Sequence, residues 1–288
     1  RCWKSDWVVD LDIQKFFDSV RWDLMLKAVA HHLDADRRWI LLYVERWLQA
    51  PLRQPDGTTV TRHEGTPQGS AISPALANLF MNYAFDAWME REFPSIEFER
   101  YVDDVVVHCK SFRQADMLVK AIGRRLRQVG LSLHPTKTRI VYCRGGLRRK
   151  EYEHTAFTFL GYTFRARAAK GRNGEVFTSF LPAISKDALK RISNEVRRWR
   201  LHMHSTYSLD AFARWINPIV AGWMHYYGRF CRTELYPLLR RINAYLMRWA
   251  RKKYKRLKTF KKAKAWWWSV VEREPLLFAQ WRWVCSFW

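Results

Sequence analysis

The sequence is short of acids. Against 51 lysines and arginines it carries 27 aspartates and glutamates, a formal charge of +24. That excess excludes the balanced surface of an ordinary solvated globule and points to a large anionic partner. Cysteine is scarce as well: Cys2, Cys109, Cys143, Cys231 and Cys285 are scattered, odd in number and never spaced as CxxC. A zinc site or disulfide framework is therefore not expected, and a reducing, cytoplasmic location is. No apolar run approaches the ~20 residues that span a bilayer. Nothing at the N-terminus resembles a signal peptide, and no repeat of solenoid period is present.

What is present suits a folded, nucleic-acid-binding protein. The chain has 288 residues, 48% of them hydrophobic, enough for one large domain or two. Aromatic residues make up 16%, and with the surplus cations they favour nucleic acid over a membrane. Phosphates meet Lys and Arg, while exposed bases or sugars meet rings.

Two regions differ in composition. Residues 1 to about 165 hold most of the acids and alternate strand-like with helix-like segments. A loop at Lys170-Gly171-Arg172-Asn173-Gly174 follows, ending in the turn-forming pair Asn-Gly. Beyond it the chain is basic and reads as helical. Leu189, Ile192, Val196 and Trp199 recur at helical steps opposite Lys190, Arg191, Arg197 and Arg198, with Ser185 as the expected cap. In the first region Trp7, Val9, Leu11 and Ile13 alternate with Val8, Asp10 and Asp12, a strand with carboxylates on one face. Met25, Val29 and Leu33 suggest a helix. Ser73-Pro74 reads as a helix start, Ser as cap and Pro at the first position. Phe98 to Val102 and Val105 to Cys109 read as two strands meeting at Asp103-Asp104.

Adjacent aspartates between apolar strands admit two readings. One is a hairpin turn, where Asp is common. The other is a divalent-metal site with hard oxygen ligands. Asp12, at the end of another strand, adds a third carboxylate, and three converging carboxylates repel strongly without a cation. With two Mg²⁺ ions they make a phosphoryl-transfer centre. Asp10 competes with Asp12 on strand parity, and spacing does not separate them.

Five segments, in order, resemble the group II intron-encoded reverse transcriptases with their maturase domain. They are Asp12-Ile13-Gln14-Lys15-Phe16-Phe17-Asp18; Gly65-Thr66-Pro67-Gln68-Gly69-Ser70 with Ser73-Pro74-Ala75-Leu76-Ala77-Asn78; Tyr101-Val102-Asp103-Asp104; Gly130-Leu131-Ser132-Leu133 with Pro135-Thr136-Lys137-Thr138; and Phe159-Leu160-Gly161-Tyr162. The stretch from Trp215 to Tyr227, then Leu246 to Tyr254, resembles the maturase-specific region. The resemblance implies an α+β fold: a right-hand polymerase palm, an antiparallel sheet with packed helices and partial fingers, then an α-helical thumb/maturase domain. The implied boundaries are palm and partial fingers over 1–165, a linker over 166–184, helical thumb/maturase over 185–260, and a basic, aromatic tail over 261–288.

The same resemblance implies the residues and partners. Asp12, Asp103 and Asp104 are the catalytic acids, with Asp12 preferred to Asp10, and the two Mg²⁺ ions are held by Asp12, Ile13, Asp103 and Asp104. Phe17 lies beneath the incoming sugar and leaves no room for a 2′-hydroxyl. Gln68 and Gly69 line the nascent base pair, and Lys137 stands near the triphosphate. Leu160 and Gly161 form the primer grip. Arg248, Arg251, Lys252, Lys253, Lys255 and Arg256 face RNA phosphates. The implied partners are intron RNA, an RNA template with DNA primer, and dNTPs, with no membrane.

Two departures qualify the resemblance. Only 11 residues precede Asp12, where the family carries a long fingers region, so the 288-residue chain alone is expected to be weakly active or inactive. Val102 stands where Ala is commoner. No His/Cys cluster of an endonuclease domain follows the maturase-like region. The competing readings are a splicing factor that no longer polymerises, and a reverse transcriptase of a retron or defence lineage; the maturase-like stretch speaks against the latter.

Overall fold

The computed structural model describes residues 2, 4–54, 56–67, 70–143, 145, 152–171 and 173–287. It divides into two compact units, Arg1–Phe157 with Ala168–Phe180, and Thr158–Arg167 with Leu181–Trp288.

The first unit runs β1 (Trp7–Leu11), α1 (Phe16–Ser19), α2 (Trp22–Ala30), α3 (Trp39–Gln49), β2 (Leu52–Arg53), β3 (Thr59–Val60) and α4 (Ser73–Met81). A π-helical turn (Asn82–Asp86) leads into α5 (Ala87–Glu92), β4 (Phe98–Tyr101), β5 (Asp104–Cys109), α6 (Phe112–Gln128) and β6 (Arg139–Tyr142). Four strands form an antiparallel sheet in the order β4-β5-β1-β6. The alternation read in β1 sets its two faces. Trp7, Val9 and Leu11 enter one core with Val105 and Val107 of β5 and with Ala115, Leu118, Ile122 and Leu126 of α6. Ser111 caps α6, its hydroxyl accepting from Gln114 N at 3.2 Å. Ser73, expected as a cap, lies inside α4, with Ile72 at the capping position and Pro74 in the first turn. Its hydroxyl instead donates to the Pro67 carbonyl at 2.7 Å, tying the preceding loop to the helix.

The strands β7 (Ala156–Phe159), β8 (Tyr162–Lys170) and β9 (Val176–Ile184) form a three-stranded sheet in that order. The stretch 166–184, expected as a linker, is thus largely strand. Aromatic and β-branched residues on both sides of the Asn173-Gly174 turn favour extended pairing, and Gly174 supplies the positive φ, +87°, that the turn needs.

The second unit is otherwise helical: α7 (Lys186–Arg198), α8 (Leu209–Tyr227), α9 (Tyr236–Lys253) and α10 (Phe260–Arg273). Ser185 caps α7 as expected, accepting from Ala188 N at 3.1 Å. The core gathers Ile192, Val196, Ile216, Val220, Leu246 and Trp249. The stretch 261–288 is expected as a tail, but its described residues, through Phe287, are built into this core: Trp267, Phe278, Trp281 and Phe287 are buried. Asn243 of α9 fastens the end of the chain. Its Nδ2 donates to the carbonyls of Val284 (2.9 Å) and Ser286 (2.8 Å), and its Oδ1 accepts from Gln280 Nε2 (3.1 Å) and Trp281 Nε1 (3.2 Å). Such aromatic content cannot stay in water while a core is within reach. Among the described residues no helix is long and apolar enough to cross a membrane.

Candidate active site

Strand register gathers the carboxylates. Leu11 faces Val105 and Asp10 faces Val106 across β1–β5, so the next step of the ladder sets Asp12 opposite Asp104. Across β1–β6, Asp10 faces Arg139, and the same extension sets Asp12 opposite Lys137. Lys137 Nζ lies 3.3 Å from Asp12 Oδ2. Because side chains alternate, Asp10, Asp12 and Asp104 share the sheet face away from the Val105–Val107 core. Val102 and Asp103 are the two central residues of the β4–β5 hairpin, closed by the Tyr101–Asp104 pair. Val102 has φ +59° and Asp103 does not share the positive sign, the pattern of a type II′ turn.

The main chain at Asp12 is clamped from the side of the Pro135–Thr138 segment. Its carbonyl accepts from His134 N at 2.8 Å and from Thr138 Oγ1 at 3.3 Å, and its N–H donates to Thr138 Oγ1 at 3.4 Å. Gln14 N donates to Ser132 O at 2.8 Å. These bonds flank the Ile13–Leu133 bridge in the antiparallel pattern that leaves the Ile13 carbonyl out of the ladder.

Burial and mutual repulsion act on the acids together. Burial first, then Asp12, pushes the Asp103 carboxyl up, against the opposing pull of its own backbone and Lys137. Asp104 is pushed up by burial, Asp103 and Asp12, with Lys137 opposing. Asp10 is pushed up to about 7, by burial and then by Asp104, with Arg139 opposing. Asp10, which the family resemblance ranks below Asp12, is therefore part of the same carboxyl cluster, two ladder steps deeper. Among the described residues, no three His, Cys, Asp or Glu side chains close into a metal-binding set; the acids are neighbours on one face rather than a closed cage.

Phe17 is half-buried on α1, beside Phe16 with ring centroids 5.3 Å apart. The loop before α4 lies against it. Thr66 N donates to Phe17 O at 2.6 Å and Gly65 N to Val20 O at 2.7 Å, and Trp22 Nε1 donates to Gly65 O at 2.6 Å. A Cβ on Gly65 would stand 2.7 Å from Phe17 O and 2.8 Å from Asp18 O, so only glycine permits this approach. Gln68 and Gly69 lie outside the described residues.

Leu160 and Gly161 are in the second unit. Both have positive φ, +51° and +77°, the pattern of a type I′ hairpin. The Leu160 carbonyl accepts from Tyr226 Oη at 2.9 Å and the Gly161 carbonyl from Ser185 N at 2.8 Å. Of the six cations assigned to RNA, Arg248, Arg251, Lys252, Lys255 and Arg256 are exposed around the end of α9. Lys253 is half-buried, lies 5.2 Å from the Trp249 ring centroid and donates to the Tyr207 carbonyl, so its charge is largely engaged within the fold.

Sequence reasoning missed the anchoring residues. Thr138 stands inside one of the motif segments, but the motif gives it no role. Trp22 and Gly65 give no signal of their contact, which spans 43 residues. Arg100, flanking the Asp-Asp turn, carries no local mark of its importance.

Comparison with known proteins adds two family matches. Residues 1–164 match the family described as reverse transcriptase (RNA-dependent DNA polymerase), and residues 189–267 match the group II intron, maturase-specific domain. The chain is 36% identical over 86 residues to the putative COX1/OXI3 intron 1 protein of Saccharomyces cerevisiae, covering 30% of this chain and 10% of that protein. It is 27% identical over 210 residues to Protein YkfC of Escherichia coli, covering 60% of this chain and 50% of that one. The chain thus spans half or less of the length of these relatives. Among solved structures, an apo telomerase from Candida tropicalis, truncated from its C-terminal domain, aligns with TM-score 0.43 and 13% identity over 55% of this chain and 34% of that one, a slight likeness.

Proposed function

We propose, from the premise that this chain belongs to the reverse transcriptase (RNA-dependent DNA polymerase) family and carries a group II intron maturase-specific domain, that it copies RNA into DNA for a group II intron and binds that intron's RNA in splicing. The observation that carries the reading is the register that sets Asp12 and Asp104 on one sheet face, beside the turn that carries Asp103.

The donors suit Mg²⁺. They are hard carboxylate oxygens whose negative charge is opposed by burial and by one another, with the Lys137 ammonium beside Asp12. Asp12, Asp103, Asp104 and the Ile13 carbonyl would hold two ions, which supply activation of a primer 3′-hydroxyl and charge neutralisation on the triphosphate. Lys137 stabilises developing phosphate charge. Phe17, pinned by the Gly65-Thr66 loop, excludes a 2′-hydroxyl, and Gln68 and Gly69 contact the nascent pair. Leu160 and Gly161 hold the primer end. The exposed cations around the end of α9 meet RNA phosphates. The partners are intron RNA, an RNA template with DNA primer, and dNTPs, and the location is the cytoplasm.

The test is Mg²⁺-dependent extension of a DNA primer on an RNA template, beside Mn²⁺ binding followed by electron paramagnetic resonance. Extension, however weak, and Mn²⁺ binding are both expected to vanish in Asp103→Ala. Extension that survives that substitution refutes the reading. Salt-sensitive RNA binding with neither extension nor Mn²⁺ binding favours a splicing factor without polymerase chemistry.

A further inference from the structure

Val102 holds φ +59° immediately before Asp103 and Asp104. The first central position of a type II′ turn is one that glycine takes freely and a β-branched residue takes at a cost. Such a conformation persists only where the surroundings hold it. Arg100 is placed to do so. Its Nη1 donates to the Val102 carbonyl at 2.9 Å and to Asn78 Oδ1 at 2.9 Å. Its Nε and Nη2 fork onto Asp86 at 2.7 and 2.5 Å.

The anchors belong to the helical layer. Asn78 is on α4, and Asp86 ends the π-helical turn. Arg125 supports that turn, donating to the carbonyls of Ala84 (2.9 Å) and Tyr83 (3.0 Å). π-Helical turns arise where a local register is shifted, often for function, and here the shifted turn ends on the carboxylate that Arg100 needs. The Arg100 and Asp86 side chains are 11% and 20% exposed, so solvent screens the pair little. Arg100 pairs with Val105 in the ladder, a core-facing residue. It therefore reaches the turn from the helix-packed side, away from the face that carries Asp10, Asp12 and Asp104.

From this geometry we infer that Arg100 is a positioning residue: braced by Asp86 and Asn78, it holds the Val102 carbonyl and so keeps Asp103 and Asp104 in the attitude that takes a divalent cation. The inference rests on the reading of those aspartates as metal ligands. Only a planar guanidinium satisfies all four acceptors; an ammonium matches the charge but not the fork.

The experiment measures Mn²⁺ affinity by electron paramagnetic resonance, with thermal unfolding, for the wild type, Arg100→Gln, Arg100→Lys and the double variant Arg100→Gln/Val102→Gly. Arg100→Gln is expected to bind Mn²⁺ about tenfold more weakly, the scale seen when hydrogen-bond support behind a metal ligand is removed, and Arg100→Lys to recover little. Val102→Gly removes the need for a brace, because glycine adopts the turn unaided, so the double variant is expected to regain most of the affinity. If Arg100→Gln fails to fold, because Asp86 is left unpaired, Arg100→Gln/Asp86→Asn removes both charges and takes its place in the series. Wild-type affinity in the folded brace-less protein, or no recovery on adding Val102→Gly, overturns the inference while leaving the metal site standing. A wild type that binds no Mn²⁺ overturns the metal reading itself, and this inference with it.

Discussion

Replacing Gly65 by alanine tests how tightly the loop before α4 is fitted to the Phe17 turn. Two costs are separable. Gly65 has φ +81°, and a non-glycine residue there loses ~1 kcal/mol of backbone energy. The added Cβ would also stand 2.7 and 2.8 Å from the carbonyl oxygens of Phe17 and Asp18, backbone atoms that cannot swing aside. The loop must then lift, surrendering the bonds Gly65 N to Val20 O, Thr66 N to Phe17 O and Trp22 Nε1 to Gly65 O. At ~1 kcal/mol each, these bring the total to roughly 4 kcal/mol. Gly57 is the built-in control: its φ is +89°, yet nothing lies within 4 Å of its Cβ position, so Gly57→Ala should cost only the ~1 kcal/mol backbone share. At roughly 2–4 °C per kcal/mol for a unit of this size, calorimetry should show Gly65→Ala melting about 8–16 °C below wild type and Gly57→Ala only a few degrees below. Equal losses in the two variants would falsify the steric argument.

Four further outcomes rest on particular contacts. Asn243→Ala strands the carbonyls of Val284 and Ser286 and the donors of Gln280 and Trp281, so urea unfolding should show destabilisation by ~3 kcal/mol or more; a change under ~1 kcal/mol would mean that water replaces them. Burial disfavours the charge on His108, but the Cys2 thiolate and the Glu99 carboxylate, the latter 2.6 Å away, outweigh it and raise the imidazole to about 9. This contribution is full below the ordinary 6.5 and fades as pH rises through about 9. Glu99→Gln should therefore cost ~1 kcal/mol at pH ~6, discounted for the exposure of Glu99, and almost nothing at pH ~10; a pH-independent cost contradicts it. Phe17→Ala should raise ribonucleotide use relative to deoxynucleotide use in extension assays, and unchanged discrimination removes Phe17 from the sugar site. Lys255→Ala/Arg256→Ala should flatten the salt dependence of RNA binding by ~0.7–0.9 in log–log slope for each phosphate no longer neutralised, measured by filter binding; an unchanged slope takes both residues off the RNA.

The sequence by itself determined the elements that short-range rules govern. Alternation in Trp7–Leu11 set its apolar face and Ser185 announced the start of α7, while the resemblance of the ordered motifs pointed to Asp12, Asp103 and Asp104 as the acids of a metal site. The matched families agree with the polymerase and maturase character those motifs implied. Tertiary structure decided what depends on partners distant in the chain. Asp10 and Asp12 share strand parity, so only the neighbouring strands showed that both stand near Asp104. The aromatic residues of 261–288 looked like a tail until Asn243 and the core of the second unit gave them partners, and 166–184 looked like a linker until its strands paired. The hold on the Asp-Asp turn was illegible for the same reason. Val102 carries no local mark of a positive φ, and the guanidinium that opposes the strain draws its anchors from residues 14 and 22 positions away. Periodicity reports which way a side chain faces; only packing reports what it meets there, because a hydrogen bond depends on distance in space and not on distance along the chain.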